Sequence, residues 1–330
     1  MRTHAMRAPR AGSDSRGAHT LRNRFHYLPA WTAERFPLRN GIFFLVLYVT
    51  SLCVARAAAT PGSVHVRWHD LAGFVALWAF FLVLRVVDEH KDFTADGVAH
   101  PERVLQRGLV TLTELRLVGI LAALLTLGVS LSIDGGIGTV TGWWLAVAVW
   151  SGLMAREFFV RTWLRGHVML YALSHMVVMP LVIGWVAAMG GASPLSRSGT
   201  QLLMLFGFAS GLAFEMARKV RAPSDERPMA DSYTRALGIA GAAGTLLGVT
   251  IVAMLVGLGV IRAVLATLPL LSSVACIAAA VSVAPALLAF ARQPTTQGAR
   301  RVEAWVGLSM LVVHLSVIAS IVAGRGVATP

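Results

Sequence analysis

The chain has 330 residues, of which 56% are hydrophobic and only 14% are charged. Soluble domains carry charge on about a quarter of their residues, so this composition excludes an ordinary soluble protein and indicates a helical membrane protein with several spans. The net charge of +13 would suggest a nucleic-acid partner for a soluble protein. In a membrane protein, an excess of Lys and Arg on one side explains this charge, and we expect no nucleic-acid partner.

The chain begins with a polar, arginine-rich segment over residues 1–40, which we interpret as a disordered basic arm on the cytoplasmic side. Apolar runs then predict an all-α, polytopic membrane domain over residues 41–324 with nine transmembrane helices, followed by a short tail at 325–330. The approximate bounds of the helices are 41–59, 70–87, 115–133, 140–156, 167–189, 200–215, 236–261, 263–291 and 302–324.

Two details of this assignment depend on single residues. Residues 236–291 are too long for one membrane crossing, so we divide them near Arg262. Pro180, Pro269 and Pro285 lie inside the predicted spans and predict kinks.

The distribution of basic residues predicts the orientation in an inner or plasma membrane. Most of the 29 Lys and Arg residues fall on one side if the amino terminus is cytoplasmic. The same orientation places three polar segments on the cytoplasmic side, at residues 88–114, 157–166 and 216–235. We therefore expect function at the cytoplasmic face.

Four carboxylates lie together directly after the second predicted span, at Asp88, Glu89, Asp92 and Asp96. A helix would place Asp88, Asp92 and Asp96 along one face, where like charges repel. A divalent cation, which prefers oxygen ligands, would compensate that repulsion, and a solvated acidic loop between two spans is the alternative.

A second polar segment follows the sixth predicted span and runs from Glu215 through Lys219 and Arg221 to Asp225 and Asp231. Glu215 closes an apolar span, and an ionisable residue in that position suggests function. An ordinary ion pair between Glu215 and Lys219, four residues apart, is the alternative.

These segments resemble the motifs of the UbiA-type intramembrane prenyltransferases, which are nine-helix proteins with Asp-rich motifs after the second and sixth helices. The first family motif reads N-D-x-x-D-x-x-x-D, and Asp88, Glu89, Asp92 and Asp96 take its four places. Residues 103–111 resemble the segment that follows it in the family, and the resemblance covers about residues 36–324. This chain departs from the second family motif, D-x-x-x-D, because Glu215 and Lys219 stand at the positions of its two aspartates.

The resemblance implies helices arranged around a central cavity and transfer of an isoprenyl group from an isoprenyl diphosphate to a lipophilic or membrane-surface acceptor. It implies Mg²⁺ as the cofactor, with metal ligands among Asp88, Glu89, Asp92, Asp96, Glu215, Asp225 and Asp231. The implied catalytic residues are Asp92, Asp96 and Lys219. The implied diphosphate-binding residues are Lys91, Arg103, Arg107, Lys219, Arg221 and Arg161. Substrate contacts are expected from Phe93, Phe159, Tyr171 and His175.

Each group also has a simpler interpretation. Arg161 could act only as a topology determinant, and the aromatic residues could belong to an interfacial belt. His175 could hydrogen-bond a neighbouring helix. Two other functions stay open: a transporter for a divalent cation or small solute, and a non-catalytic member of the family that binds a polyprenyl lipid.

Overall fold

The computed structural model describes residues 25–60, 62, 64–227 and 232–328, except for the side chain of Arg165. Within these ranges the chain forms thirteen α-helices. They are α1 Leu28–Arg35, α2 Gly41–Ala59, α3 His69–Ala99, α4 Leu112–Asp134, α5 Thr139–Ala155, α6 Arg161–Arg165, α7 Val168–Met176, α8 Val178–Met189, α9 Ser198–Arg218, α10 Tyr233–Leu265, α11 Leu270–Val281, α12 Val283–Arg292 and α13 Thr296–Arg325. Two short strands, β1 (Val64–His65) and β2 (Val327–Ala328), pair in parallel.

Eight helical stretches of the described chain are long and apolar enough to cross a membrane. Two of them are paired helices, α7 with α8 and α11 with α12, while the apolar helix α5 is shorter at 17 residues. The predicted spans correspond to these eight stretches and α5, which confirms the all-α, polytopic fold.

One predicted boundary is wrong. The chain does not break near Arg262, because α10 continues to Leu265 and the next helix begins after Pro269. Proline disfavours a helical backbone at the residue before it, so the turn forms there and the single charge of Arg262 stays within the helix.

Prolines inside two other predicted spans do interrupt their helices, as expected. α7 gives way to α8 at Val177, shortly before Pro180, and α11 gives way to α12 at Ser282, shortly before Pro285. Proline lacks the N–H that would bond to the preceding turn, and its ring clashes with a carbonyl oxygen of that turn.

The prediction of a disordered arm is wrong for residues 28–40. These residues form α1 and a short 3₁₀ helix at Leu38–Asn40 that leads into α2. Trp31 of α1 is only 1% exposed and packs against a cluster that includes Val86 and Leu105. A buried indole contributes a large apolar area, which holds α1 on the rest of the protein.

The core lies where α2, α8, α9 and α13 meet. Its fully buried side chains include Ile183, Trp185, Phe206 and Val317. The helices approach closely at small residues: a Cβ atom on Gly207 would lie 2.1 Å from the Cδ1 atom of Ile183. Lipid is itself apolar, so helices in a membrane gain little free energy from burying apolar surface against one another. Close packing of this kind holds them together instead.

Four connections lie at one end of this bundle, which we call the basic end: residues 100–111, 156–167, 219–227 with Ser232, and 293–295. Contacts join them to one another and to α3. Arg227 Nη1 donates to the carbonyl oxygen of Ala99 at 2.8 Å, and the Thr296 hydroxyl donates to Asp225 Oδ1 at 2.9 Å. The basic end carries both predicted polar segments, and its assignment to the cytoplasm stays a prediction.

Candidate functional site

The first acidic segment is helical, since α3 continues through all four carboxylates and ends only at Ala99. The helix divides these carboxylates between two neighbourhoods. Asp88 and Asp92 lie beside one group of partners, whereas Glu89 and Asp96 lie beside another.

Glu89 and Asp96 belong to a group of ion pairs that we call the Arg35 cluster. Arg35 Nε donates to Glu89 Oε1 at 2.6 Å, and Arg85 Nε donates to the same oxygen at 2.9 Å. Arg35 Nη2 lies 3.4 Å from Asp96 Oδ2, which also accepts from Arg103. Glu89 is 2% exposed. Guanidinium groups therefore already neutralise these two carboxylates.

The other neighbourhood brings together the only two lysines of the sequence, Lys91 and Lys219, at one tyrosine. Lys91 Nζ donates to the Tyr171 hydroxyl at 3.0 Å, and Lys219 Nζ lies 5.5 Å from the centre of the Tyr171 ring. Asp88 Oδ1 lies 3.5 Å from Lys91 Nζ, and Asp92 lies close enough to act on Lys91 electrostatically. We call Lys91, Lys219 and Tyr171 the lysine-pair site.

An aromatic stack backs the lysine-pair site. The His175 ring lies parallel to the Tyr171 ring at a centroid distance of 3.9 Å, and Phe158 meets His175 edge-on at 5.8 Å. Trp150 continues the stack at 5.3 Å from Phe158 and donates through Nε1 to the Ser174 carbonyl at 3.1 Å. The electron-rich faces of such rings can stabilise a nearby cation.

A left-handed turn connects α5 to α6 beside this stack. Glu157, Phe158 and Phe159 have φ values of 46°, 53° and 61°, which bulky residues rarely adopt. Glu157 is 1% exposed, and Arg161 Nε lies 3.1 Å from its Oε2 atom. Arg161 Nη2 in turn donates to the Lys91 carbonyl at 3.5 Å. Backbone strain of this kind is concentrated at functional sites, where the surrounding contacts hold it in place.

Glu215 lies at the end of α9 between two basic residues. Its Oε1 atom lies 2.8 Å from Lys219 Nζ, and its Oε2 atom accepts from Arg218. The sequence-based alternative of a Glu215–Lys219 ion pair is therefore present in the structure. The same pair also fixes the Lys219 ammonium beside Tyr171.

Arg221 and Asp225 lie on the wall of a separate polar cavity at the basic end. Asp225 Oδ1 is held by the Thr296 hydroxyl at the start of α13. The structure therefore does not bring Asp225 together with the carboxylates of α3. Asp231 lies outside the described residues.

His100 connects the two polar segments, because its Nδ1 atom lies 3.0 Å from Arg227 Nη1. Partial burial lowers the pKa of His100 below its ordinary value, and the nearby positive charges of Arg103 and Arg227 lower it further, against the opposing effect of Glu102. The neutral imidazole, which can accept from Arg227, is the favoured form.

A groove of about 520 Å³ adjoins the lysine-pair site between α3 and α4. Most of its lining is apolar and comes from Val83, Val86, Val87, Gly119, Ile120, Ala123 and Ala155. His90, Lys91 and Arg116 line its polar end. Ligand-binding pockets have volumes of roughly 300–1,000 Å³, so the groove has the size and polarity for an amphiphile with an anionic head.

The carboxylates of the described residues are not arranged to bind a metal ion in this structure. No group of three or more His, Cys, Asp or Glu side chains in the described ranges is arranged to hold one. Glu89, Asp96 and Glu215 each face a basic side chain instead. Mg²⁺ dependence stays a prediction.

Three further predicted residues lie at the surface: Arg107, Phe93 and Phe159, of which Phe159 is 76% exposed. The sequence interpretation missed Arg35, Arg85 and Arg218 as partners of the acidic residues. The spacing of Arg85 four residues before Glu89 could have revealed one of them. No local pattern could have revealed Arg35, because its contacts join distant parts of the chain.

Comparison with known proteins supports the fold. The chain is similar to a solved structure of a digeranylgeranylglyceryl phosphate synthase in membranes, with a TM-score of 0.63 and 14% sequence identity over 90% of this chain and 99% of that one. No protein-family model and no curated protein matches the sequence. At this identity the likeness shows a shared architecture, and the chemistry must be argued from the site.

Proposed function

We propose that this protein is a UbiA-type intramembrane prenyltransferase that transfers an isoprenyl group from an isoprenyl diphosphate to a lipophilic or membrane-surface acceptor. The observation that carries this proposal is the convergence of Lys91 and Lys219 on Tyr171 beside an apolar groove. The fold likeness to a synthase of a prenylated lipid supports the same class of reaction.

In this proposal the lysine-pair site holds the diphosphate. An ammonium is a compact point charge that suits a phosphate group, and two of them share the negative charge that develops on the leaving diphosphate. The carbon–oxygen bond breaks with both electrons going to the diphosphate, and the acceptor attacks the allylic carbon. The proton that the acceptor loses passes to the released diphosphate.

The groove between α3 and α4 would hold the isoprenyl tail, and the ring faces of Tyr171, His175 and Phe158 would stabilise the allylic cation. Exclusion of water by these apolar and aromatic groups would protect the cation from hydrolysis. Replacing Ala123 by Phe should fill the groove and weaken long-chain donors more than short ones.

The test is an assay of the purified protein with a series of labelled isoprenyl diphosphates and a lipid extract as the acceptor source. We expect a labelled lipid product and its loss in Lys91→Met, while Arg292→Met, an exposed change at the same end, keeps it. Asp92→Asn and Asp96→Asn test the motif prediction, and full activity in both variants would contradict it. A parallel arm with EDTA tests the Mg²⁺ prediction separately.

One observation favours a second function, that of a non-catalytic protein which binds a polyprenyl lipid. The ion pairs at Glu89, Asp96 and Glu215 occupy carboxylates that the family motif would use for metal. Tight binding of an isoprenyl diphosphate without any product would support this function over transfer.

A further inference from the structure

A polar cavity of about 380 Å³ lies at the basic end between residues 218–227 and the first turns of α13. Four arginines contribute to its wall: Arg218, Arg221, Arg227 and Arg300. The proposed transfer does not use this cavity, although Arg221 and Asp225 on its wall belong to the second polar segment of the sequence. Its composition is that of an anion-binding site.

The cavity has a surplus of positive charge. Its wall contains two carboxylates, Asp225 and Glu303, against four guanidinium groups, of which Arg218 is also paired with Glu215 behind the wall. Asp225 Oδ1 accepts hydrogen bonds from the hydroxyls of Thr296 at 2.9 Å and Ser224 at 3.5 Å. These hydrogen bonds hold the Asp225 carboxylate in place on the wall, and Glu303 is the second acidic group there.

Arg221, on the wall of this cavity, has a side-chain donor that no described acceptor satisfies. Its Nε atom is buried and has no hydrogen-bond partner within the described part of the chain. Its backbone N–H and C=O are both bonded to the Thr234 hydroxyl at the start of α10, so the residue is held in place. A buried N–H without an acceptor costs free energy, and a ligand oxygen would satisfy it only after a small movement of the wall, because the Nε atom has almost no accessible surface.

Glu215 separates this cavity from the lysine-pair site. One carboxylate oxygen faces Lys219, and the other faces Arg218, which lines the cavity. Glu215 therefore lies between the two cationic sites and contacts one basic side chain of each.

We propose that the arginine-lined cavity binds a phosphomonoester, carried either by a membrane lipid or by a soluble molecule. A guanidinium group can donate two parallel hydrogen bonds to two oxygens of one phosphate. The ammonium groups of the lysine-pair site act as point charges and do not provide this paired geometry.

The test measures binding to the full chain in phosphatidylcholine nanodiscs, with glycerol 3-phosphate as the soluble probe and phosphatidic acid in the disc as the lipid probe. We expect Arg300→Gln to weaken binding about tenfold, since it removes a charged hydrogen-bond donor. The matched control is Arg301→Gln, a neighbour that is also exposed but does not line this cavity, and it should bind as the wild type does.

Glu303→Gln provides a test that misfolding cannot imitate, because removing the opposing charge should strengthen binding. Binding of the soluble probe identifies a free phosphomonoester, and binding of the lipid probe alone identifies a headgroup. No binding of either probe, equal losses in Arg300→Gln and Arg301→Gln, or weaker binding in Glu303→Gln would overturn the proposal. No isoprenyl diphosphate is present, so the outcome is independent of the proposed transfer.

Discussion

At the scale of single residues, the site depends on which cation accompanies each carboxylate. Asp88 and Asp92 lie beside Lys91, whereas Glu89 and Asp96 are held by Arg35 and its neighbours. The same short segment thus serves two purposes: one pair of carboxylates borders the candidate site, and the other fastens α1 to α3.

The Arg35 cluster predicts a stability effect at Glu89. Glu89→Gln should lower the free energy of unfolding by about 1–3 kcal/mol, because it leaves the Arg35 and Arg85 guanidinium groups short of a charged acceptor. Thermal or denaturant unfolding in detergent would measure this. Asp88→Asn, at a 46% exposed side chain, is the control and should change stability by less than about 0.5 kcal/mol. Equal effects of the two substitutions would contradict the assignment.

The sequence predicted individual residues well where local spacing decides their contacts. The ion pair of Glu215 with Lys219 follows from their spacing, whereas the apolar pattern ended the second span at residue 87 and did not show that α3 continues to Ala99. The meeting of Lys91, Lys219 and Tyr171 depends on three helices distant in sequence. Their convergence could be expected only from the family resemblance.

At the scale of helices, the close contact of α10 with α13 depends on a glycine. A Cβ atom on Gly257 would lie 2.4 Å from Val313 Cγ1, so Gly257→Ala should destabilise the protein by about 1–3 kcal/mol through overpacking. Gly248 lies on the same helix with open space around it, and Gly248→Ala should be neutral or stabilise by up to about 1 kcal/mol. Melting temperatures of both variants in one detergent check this, and a neutral Gly257→Ala would contradict the packing.

The link between the two polar segments should depend on pH through His100. Its pKa is lowered in the folded protein, so folding favours the neutral form. The stabilising effect is present above the ordinary histidine pKa of about 6.5 and is lost as the pH falls below it. Protection of residues 220–227 from hydrogen exchange, corrected for the intrinsic pH dependence of amide exchange, should therefore decrease below about pH 6, and His100→Gln should remove that change. Identical pH profiles in the two proteins would refute the link.

The apolar runs predicted the positions of the membrane-spanning helices, but they did not predict that residues 28–35 form the helix α1. Residues 28–40 are polar enough to predict disorder, and only the burial of Trp31 against α3 and the 100–111 connection makes them a helix. Burial of this kind depends on distant residues, which local composition does not show.

At the scale of the whole molecule, the bundle brings distant polar segments to one end and leaves apolar surface for lipid along its sides. The lysine-pair site, the groove and the arginine-lined cavity all lie at that basic end. A reaction between an isoprenyl diphosphate and a second anionic or lipophilic molecule needs this arrangement, with charged heads at the surface and tails within the membrane.

The most direct test of the central claim uses the fact that Lys91 and Lys219 are the only lysines in the chain. Amine-reactive labelling followed by mass spectrometry reports on these two side chains separately from the amino terminus. A saturating long-chain isoprenyl diphosphate should slow the labelling of both lysines about tenfold or more, whereas the corresponding isoprenyl alcohol should not. Unchanged labelling rates with the diphosphate, or equal protection by the alcohol, would contradict the claim that the lysine pair binds the diphosphate of the donor.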